Sequence, residues 1–397
     1  MRIAFLVGVF PRFSETFILN QMLGVLEAGH ELHIFAGKQG PLKSVHPEIH
    51  RLNLLKQTTF PPPCLGLRSL HAAIQHPGAF AISARYGRAC SLSRLLPALA
   101  SCRELRNFDI IHAHFGTNGL KAVALRELGI TQGKIITTFY GQDVTHYPRK
   151  HGSDCYRELF AQGDWFLGIS QHLVDLVCRL GCNPAKISKL HIGVQSTDFD
   201  FRPRTIGPGE PIRLLTVARL TEKKGLEYAI RAVARIKKQS PALEYRILGE
   251  GPLRGQLERL VRQLGMEKHI QLSGAVPHDQ VRTACAHAHL FILPSVTARN
   301  GDQEGQALVL QEAQASGLPV LATRHDGIPE GVLDGQSGFL VPERDVDALA
   351  ERLSFLLTHP GLWPEMGKAG HRFVGEKFDN AQLTKCLLNT YHDLLGH

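Results

Sequence analysis

Short apolar runs alternate with segments of helical spacing along the whole chain. RIAFLVGVF (2–10), ELHIFAG (31–37), DIIHAHF (109–115), KIITTFYG (134–141), WFLGIS (165–170) and KLHIG (189–193) read as strands. SETFILNQMLGVLEAG (14–29) reads as a helix with Ser14 as N-cap and Gly29 as stop. Residues 202–212, RPRTIGPGEPI, are rich in Pro and Gly and read as a linker. A second series follows, with strands expected at 213–219, 243–249, 270–276, 289–295, 319–323 and 338–342. Helices are expected at 226–239, 252–265 and 346–358. Strand–helix alternation of this kind predicts α/β domains with mainly parallel sheets. The expected division is 1–203, 204–378, and a last helix, 379–397, returning to the first domain. Two such domains imply a cleft, with ligands outside the carboxyl ends of the strands.

A length of 397 residues suits two domains, and 43% apolar with 20% charged residues is an ordinary globular composition. The eight cysteines show no paired metal spacing and read as reduced thiols filling cores. The N-terminal run is followed at once by polar PRFSETF, so it reads as a first strand rather than a signal peptide. No run reaches the ~20 apolar residues of a membrane span, which leaves a soluble or peripheral protein. The net charge of +9 is uneven: residues 1–200 hold 21 Lys/Arg against 14 Asp/Glu. Positions 49–103 contain no acid, yet carry Arg51, Lys56, Arg68, Arg85, Arg88, Arg94 and Arg103 among apolar residues. That pattern suits an anionic membrane surface. An ordinary helical insertion with solvated arginines is the plainer reading. Nucleic acid is disfavoured because aromatics are sparse there and no nucleic-acid motif occurs.

Four motifs fall at expected strand ends in the second half. VARLTEKKG (217–225) places Arg219, Lys223 and Lys224 after a strand, where cations suit a diphosphate. A charged turn is the alternative. GEGP (249–252) offers Gly249 and Gly251 for close backbone approach, or a plain turn. LPSVTARNGDQEG (293–305) enters EGQALVLQE (304–312), in which Glu304 and Glu312 stand eight residues apart. Glu304 is expected just before a helix and Glu312 inside it. Gly305, Gln306, Ala307 and Leu308 would then present amide N–H groups at a helix N-terminus, a setting that favours anions. Isolated, the two glutamates would read as a solvated helix face. HDGIPEGV (325–332) adds a further turn, with Glu330 read as structural. The pairs Asp198/Asp200 and Asp345/Asp347 read as linker and helix-cap residues rather than metal ligands, and no metal is expected.

Taken in order, R-x4-K, GxGP, E-x7-E and A-x-G-x-P-V-x-A-T resemble the retaining nucleotide-sugar glycosyltransferases of family 4, over essentially the whole chain. PRFSETFI (11–18), HAHFG (112–116), RLTEKKGL (219–226) and LPSVTARNGDQEG resemble the colanic acid and amylovoran type of exopolysaccharide glycosyltransferase. The resemblance implies a GT-B fold of two Rossmann-like domains. It implies a nucleoside-diphosphate sugar, most readily a UDP-hexose, as donor substrate with no separate cofactor. It also implies a saccharide or polyprenyl-linked acceptor at the cytoplasmic face of the membrane. By it, Arg219 and Lys224 bind the diphosphate, Glu312 the ribose, and Glu304 with the 305–308 backbone the transferred sugar. Gly249, Gly251 and Val276 line the same donor site. Glu15, Thr16, Tyr140 and Asp143 fall on the acceptor side, and His114 joins the catalytic group. His112 and His114 are expected on opposite faces of one strand end, with His114 towards the cleft. Relatives commonly have His-Gly-x-Asp where this chain has Tyr140-Gly141-Gln142-Asp143, and Gln306 also departs from their pattern. Gln306 could meet a sugar hydroxyl or replace a packing residue. A nucleotide-sugar epimerase on the same fold and a non-catalytic nucleotide-sugar-binding subunit remain as alternatives.

Overall fold

The computed structural model describes residues 1–12, 15–42, 45–64, 66–237 and 242–396. Two compact units divide the chain: Met1–His191 with Leu383–His397, and Ile192–Gln382. In the first, β1 (Arg2–Val7), β2 (Glu31–Ala36), β3 (Thr58–Thr59), β4 (Ile110–His114), β5 (Lys134–Phe139), β6 (Trp165–Gly168) and β7 (Ile187–Lys189) form one sheet in the order β3-β2-β1-β4-β5-β6-β7. In the second, β8 (Ile212–Val217), β9 (Leu243–Leu248), β10 (Ile270–Leu272), β11 (Leu290–Leu293), β12 (Val320–Thr323) and β13 (Gly338–Val341) run β10-β9-β8-β11-β12-β13. Every pairing within both sheets is parallel. The strand order therefore reverses between β1 and β4, and again between β8 and β11. These are the switch points where such sheets leave a crevice at their carboxyl edge.

Central parallel strands are covered on both faces, which is why they read as continuous apolar runs rather than alternating ones. β4 and β11 are buried at every position. The covering helices show the complementary signal. In Leu226–Ile236, Leu226, Ala229, Ile230, Val233 and Ile236 recur at helical spacing and all are buried in the second core. Each large aliphatic side chain so buried contributes about 1.5–3 kcal/mol.

The strands start where the sequence reading expects in most cases, but β1 stops at Val7 rather than at 10 and β10 at Leu272 rather than at 276. β7 occupies 187–189 rather than 189–193, because Phe166 to Gly168 of β6 pair with Ile187 to Lys189. The two-residue edge strand β3 has no apolar run to announce it. The unit boundary falls at His191/Ile192, ahead of the Pro/Gly-rich segment. Val194 and Phe199 pack with Ala315, Val374 and Phe378 of the second unit. Arg204 is 4% exposed, and its guanidinium donates to the carbonyls of Cys285, Ala286 and Ser316. Those carbonyls end the helices His278–His287 and Leu308–Ala315, so a cation is well placed there. The segment read as a linker is pinned at Arg204 rather than loose. Ser14, read as the cap of the first helix, lies outside the described residues; that helix runs Thr16–Glu27. All eight cysteines are free thiols. No helix among the described residues is long and apolar enough to cross a membrane.

Candidate functional site

The second unit gathers its charged residues at the β8/β11 switch. After β8 the chain turns through Glu222–Lys224, closed by Gly225. After β11 a long loop runs to the helix Leu308–Ala315, so Glu304 precedes the helix and Glu312 lies inside it. The Lys224 ammonium is ion-paired with the Glu304 carboxylate, both side chains being only 10% and 11% exposed. Lys223 reaches Asp302 Oδ1 at 3.2 Å and the Gln303 carbonyl at 2.9 Å. Arg219 is exposed, and near enough that its charge, like that of Lys223, pushes Lys224 down. Burial is the larger cause of that depression, opposed by the pull of Glu304. Burial likewise pushes the Glu304 carboxyl up, but Lys224 and Lys223 outweigh it and hold Glu304 below its ordinary value. Lys223 and Lys224 are thus each matched by a carboxylate, Asp302 and Glu304, while the exposed Arg219 forms no ion pair among the described residues.

Further groups fix this arrangement. The Glu304 amide donates to His325 Nε2 at 3.1 Å, and His325 Nδ1 lies 2.6 Å from Glu343 Oε1. Glu343 also accepts from the Thr297 amide at 2.8 Å. Loops after β11, β12 and β13 are tied together by this relay. His325 stands at the end of β12, and the strand-end rule that selected Arg219 could have selected it too. The amides of Gly305, Gln306, Ala307 and Leu308 find no protein acceptor among the described residues. Buried N–H groups without acceptors at a helix start are suited to an anion. Gln306 has a different task from the one left open above. Its Oε1 accepts from the Ile192 amide at 2.9 Å and its Nε2 donates to the Ile192 carbonyl at 2.6 Å. Both ends of the side chain are spent on backbone, so only its main chain faces outward chemistry.

Gly249 and Gly251 are explained by the protein's own backbone. A Cβ on Gly249, whose φ is +144°, would lie 1.8 Å from the Ala218 carbonyl oxygen, and one on Gly251 2.5 Å from that of Leu220. The loops after β8 and β9 therefore lie against each other, and that contact positions Arg219. Val276, after β10, is half-buried against the core. Glu312 is largely buried, with His278 Nε2 3.4 Å from its Oε1. That contact raises the His278 pKa despite partial burial. His278 opens the helix after β10 and carried no sequence signal beyond its place next to Pro277.

The first unit treats its strand-end residues differently. Strand residues two apart share a face, and the rings of His112 and His114 stack, centroids 4.3 Å apart. They do not point to opposite faces. His112 Nδ1 lies 2.6 Å from Tyr391 Oη and its Nε2 2.7 Å from Thr138 Oγ1. Thr138 in turn bonds Tyr140, and Tyr140 Oη lies 2.8 Å from His114 Nδ1. One direction serves all four bonds: Tyr391 O–H to His112, His112 Nε2–H to Thr138, Thr138 to Tyr140, and Tyr140 to His114. His114, accepting at Nδ1, then carries its proton on Nε2, a buried atom with no hydrogen-bond partner among the described residues. Burial drives the His112 pKa down to about 3 and that of His114 well below its ordinary value. Both are neutral imidazoles at neutral pH. Burial raises the Tyr140 hydroxyl well above its usual range. Asp143 is committed to backbone, Oδ2 accepting from Gly116 N at 3.1 Å, and Oδ1 from Tyr140 N at 3.1 Å and Gly141 N at 2.9 Å. It clamps the loops after β4 and β5, so its side chain is structural rather than open to an acceptor. Glu15 precedes the first helix, paired with Arg12 at 2.8 Å, and burial raises its pKa. Thr16 begins that helix. Asp345 caps its helix through Ala348 N at 2.8 Å, and Asp347 pairs with Arg235. No cluster of three or more His, Cys, Asp or Glu able to hold a metal occurs among the described residues.

Comparison with known proteins agrees with this geometry. The model of Glycosyltransferase Family 4 matches residues 14–197, and that of Glycosyl transferases group 1 matches residues 198–373. A Salmonella typhimurium protein named "Putative colanic acid biosynthesis glycosyltransferase WcaL" is 38% identical, over 89% of this chain and 90% of its own. The amylovoran biosynthesis glycosyltransferase AmsK of Erwinia amylovora is 37% identical, over 88% and 89%. Among solved structures, Anabaena HepE in complex with UDP superposes with a TM-score of 0.73 at 16% identity, covering 99% of this chain and 100% of that one. Sucrose-phosphate synthase from Thermosynechococcus elongatus gives 0.75 at 17% identity, covering 100% of both. With two parallel-sheet Rossmann-like units and this likeness along its length, the chain belongs to the family 4 glycosyltransferases and has the GT-B fold class.

Proposed function

We propose that the protein moves a hexose from a nucleoside-diphosphate sugar, a UDP-sugar before others, to a saccharide or polyprenyl-linked saccharide in exopolysaccharide biosynthesis, retaining the anomeric configuration. The observation that carries this reading is the gathering of Arg219, Lys223 and Lys224 in the unit whose 305–308 amides find no protein acceptor among the described residues. A diphosphate is the ligand whose charge and oxygens match both. Complexes of Anabaena HepE with UDP and with UDP-glucose support the donor class, and the names of WcaL and AmsK support the pathway class.

In the proposed reaction an acceptor hydroxyl oxygen forms a bond to the anomeric carbon as the bond to the phosphate oxygen breaks. The diphosphate leaves with the electron pair, and its leaving oxygen takes the acceptor proton on the same face. Arg219 and Lys224 lower the energy of the departing charge, as preorganised donors do where charge develops. In this reading Glu304, held ionised by Lys224, would face the sugar, and Glu312 would take the ribose hydroxyls. These cations would do the work otherwise given to a metal, so transfer is expected to persist in EDTA. The protein would act as a peripheral enzyme at the inner membrane face, where a polyprenyl-linked acceptor resides.

Incubation with UDP-, GDP- and TDP-sugars, measuring nucleotide release with and without an extract of polyprenyl-linked saccharides, tests the proposal. Acceptor-dependent release is the expected result. Tight nucleotide binding without release from any donor would instead favour a non-catalytic binding subunit, and a changed free sugar nucleotide would favour an epimerase.

A further inference from the structure

The helix Leu67–Gln75 is turned inside out on one face. Ser69 and Ala72 are its buried residues, and it packs against the helix Leu92–Ser101. Leu67, Leu70 and Ile74, at i, i+3 and i+7, are 86%, 49% and 79% exposed. Phe80, at the start of the next helix, is 55% exposed. Only Leu42 and Leu362 join these four as exposed large apolar side chains among the described residues. Scattered apolar residues are normal on a surface, but a stripe at helical spacing is the mark of a face with something to cover it.

Charge says what covers it. Arg68 stands beside Leu67 at one end of the stripe and is exposed. Arg103 reaches Gln75 Oε1 at 2.5 Å at the other end. No Asp or Glu occurs from 49 to 103. Among the seven basic residues of that stretch, Arg51 pairs with Glu48 and Arg85 with Glu127. Lys56, Arg68, Arg88, Arg94 and Arg103 form no ion pair among the described residues.

We propose that the Leu67–Leu70–Ile74 stripe with Phe80 inserts into the interface of an anionic bilayer, with Arg68 and Arg103 at the headgroups. Apolar burial and attraction to anionic lipid combine in this mode of surface binding. The proposal is independent of the sugar transferred, and its test reads lipid binding alone.

Flotation of the full chain with phosphatidylcholine vesicles, with and without phosphatidylglycerol, decides it. The protein should float with the anionic vesicles and much less with the neutral ones. Leu67→Ser with Ile74→Ser should weaken partitioning at least about tenfold, and Arg68→Glu about fivefold or more, with an effect that salt diminishes. These positions are exposed, so an unchanged melting temperature and unchanged UDP binding will show that the variants are folded. Equal flotation of wild type and the Leu67/Ile74 variant overturns the proposal. So does a concentration-dependent dimer in sedimentation that the same variant abolishes, which would assign the stripe to a second copy of the chain.

Discussion

The two units share one architecture and use the carboxyl ends of their strands in opposite ways. In the second unit, the loops after β8 and β11 keep the exposed Arg219 without an ion pair and four amides without protein acceptors among the described residues. In the first, most of the corresponding polar atoms meet partners within the protein, with buried His114 Nε2 an exception. Asp143 holds three amides, His112 spans Tyr391 and Thr138, and His114 takes the Tyr140 hydroxyl. The same sheet order thus yields one edge rich in charged side chains and one whose polar side chains are mostly hydrogen-bonded within the protein. The difference comes from chemistry at a few loop positions, not from the fold.

The largest effect should come from breaking the charged edge. Lys224→Ala strands the buried Glu304 carboxylate, and should cost the second unit roughly 3–5 kcal/mol in urea unfolding. Lys224→Met with Glu304→Leu should recover most of that stability while leaving donor turnover abolished. A single-variant loss below ~1 kcal/mol would mean that the pair is solvated.

Asp143→Asn sharpens the other side. The amide nitrogen of Asn would face a backbone N–H, leaving at least one donor unpaired, at a cost of about 1–3 kcal/mol. Because burial raises the Asp143 pKa, the folded chain takes up its proton at a higher pH than the unfolded one. Acidification through that pKa should therefore add to the stability of the first unit relative to neutral pH. Glu304, whose folded pKa is lowered, loses its contribution as pH falls through that value. The two carboxylates titrate with opposite signs.

His112 gives the next effect. Its folded pKa of about 3 lies below the unfolded value of 6.5. Between these, the unfolded chain binds a proton that the folded chain refuses, so stability should fall by about 1.4 kcal/mol per pH unit on acidification. His112→Asn should flatten that slope in urea unfolding followed from pH 7 to pH 4. An unaltered slope would place the acid sensitivity elsewhere. The smallest effect is expected at His278, half-exposed beside Glu312: His278→Ala should change UDP affinity by under ~1 kcal/mol in calorimetry. A larger loss would make His278 a direct ligand of the nucleotide.

Sequence patterning placed the charged residues of the second unit at strand ends, because strand ends and helix starts are announced by apolar runs and by Gly. Arg219, Lys224, Glu304 and the 305–308 turn all meet at one edge of the second sheet. The first unit was harder to read. HAH suggested a catalytic histidine at His114; its neighbour His112 is held by Tyr391, 279 residues away, while His114 Nε2 is buried without a partner among the described residues. Gln306, left open between a sugar contact and a packing residue, binds the backbone of Ile192, 114 residues away.

By itself the sequence determined two parallel α/β sheets, their strand positions within a residue or two in most cases, and the kinds of side chain at each strand end. Those are local properties, set by the period of apolar residues and by the backbone preferences of Gly and Pro. Only the tertiary structure decided which of those side chains keep their charge and donors for a ligand and which are consumed by the protein. A polar group's fate depends on partners brought to it from distant parts of the chain, and burial sets whether it can hold a proton. That is why Lys224 and Glu304 emerge as a buried pair, and His112 and Asp143 as parts of the scaffold.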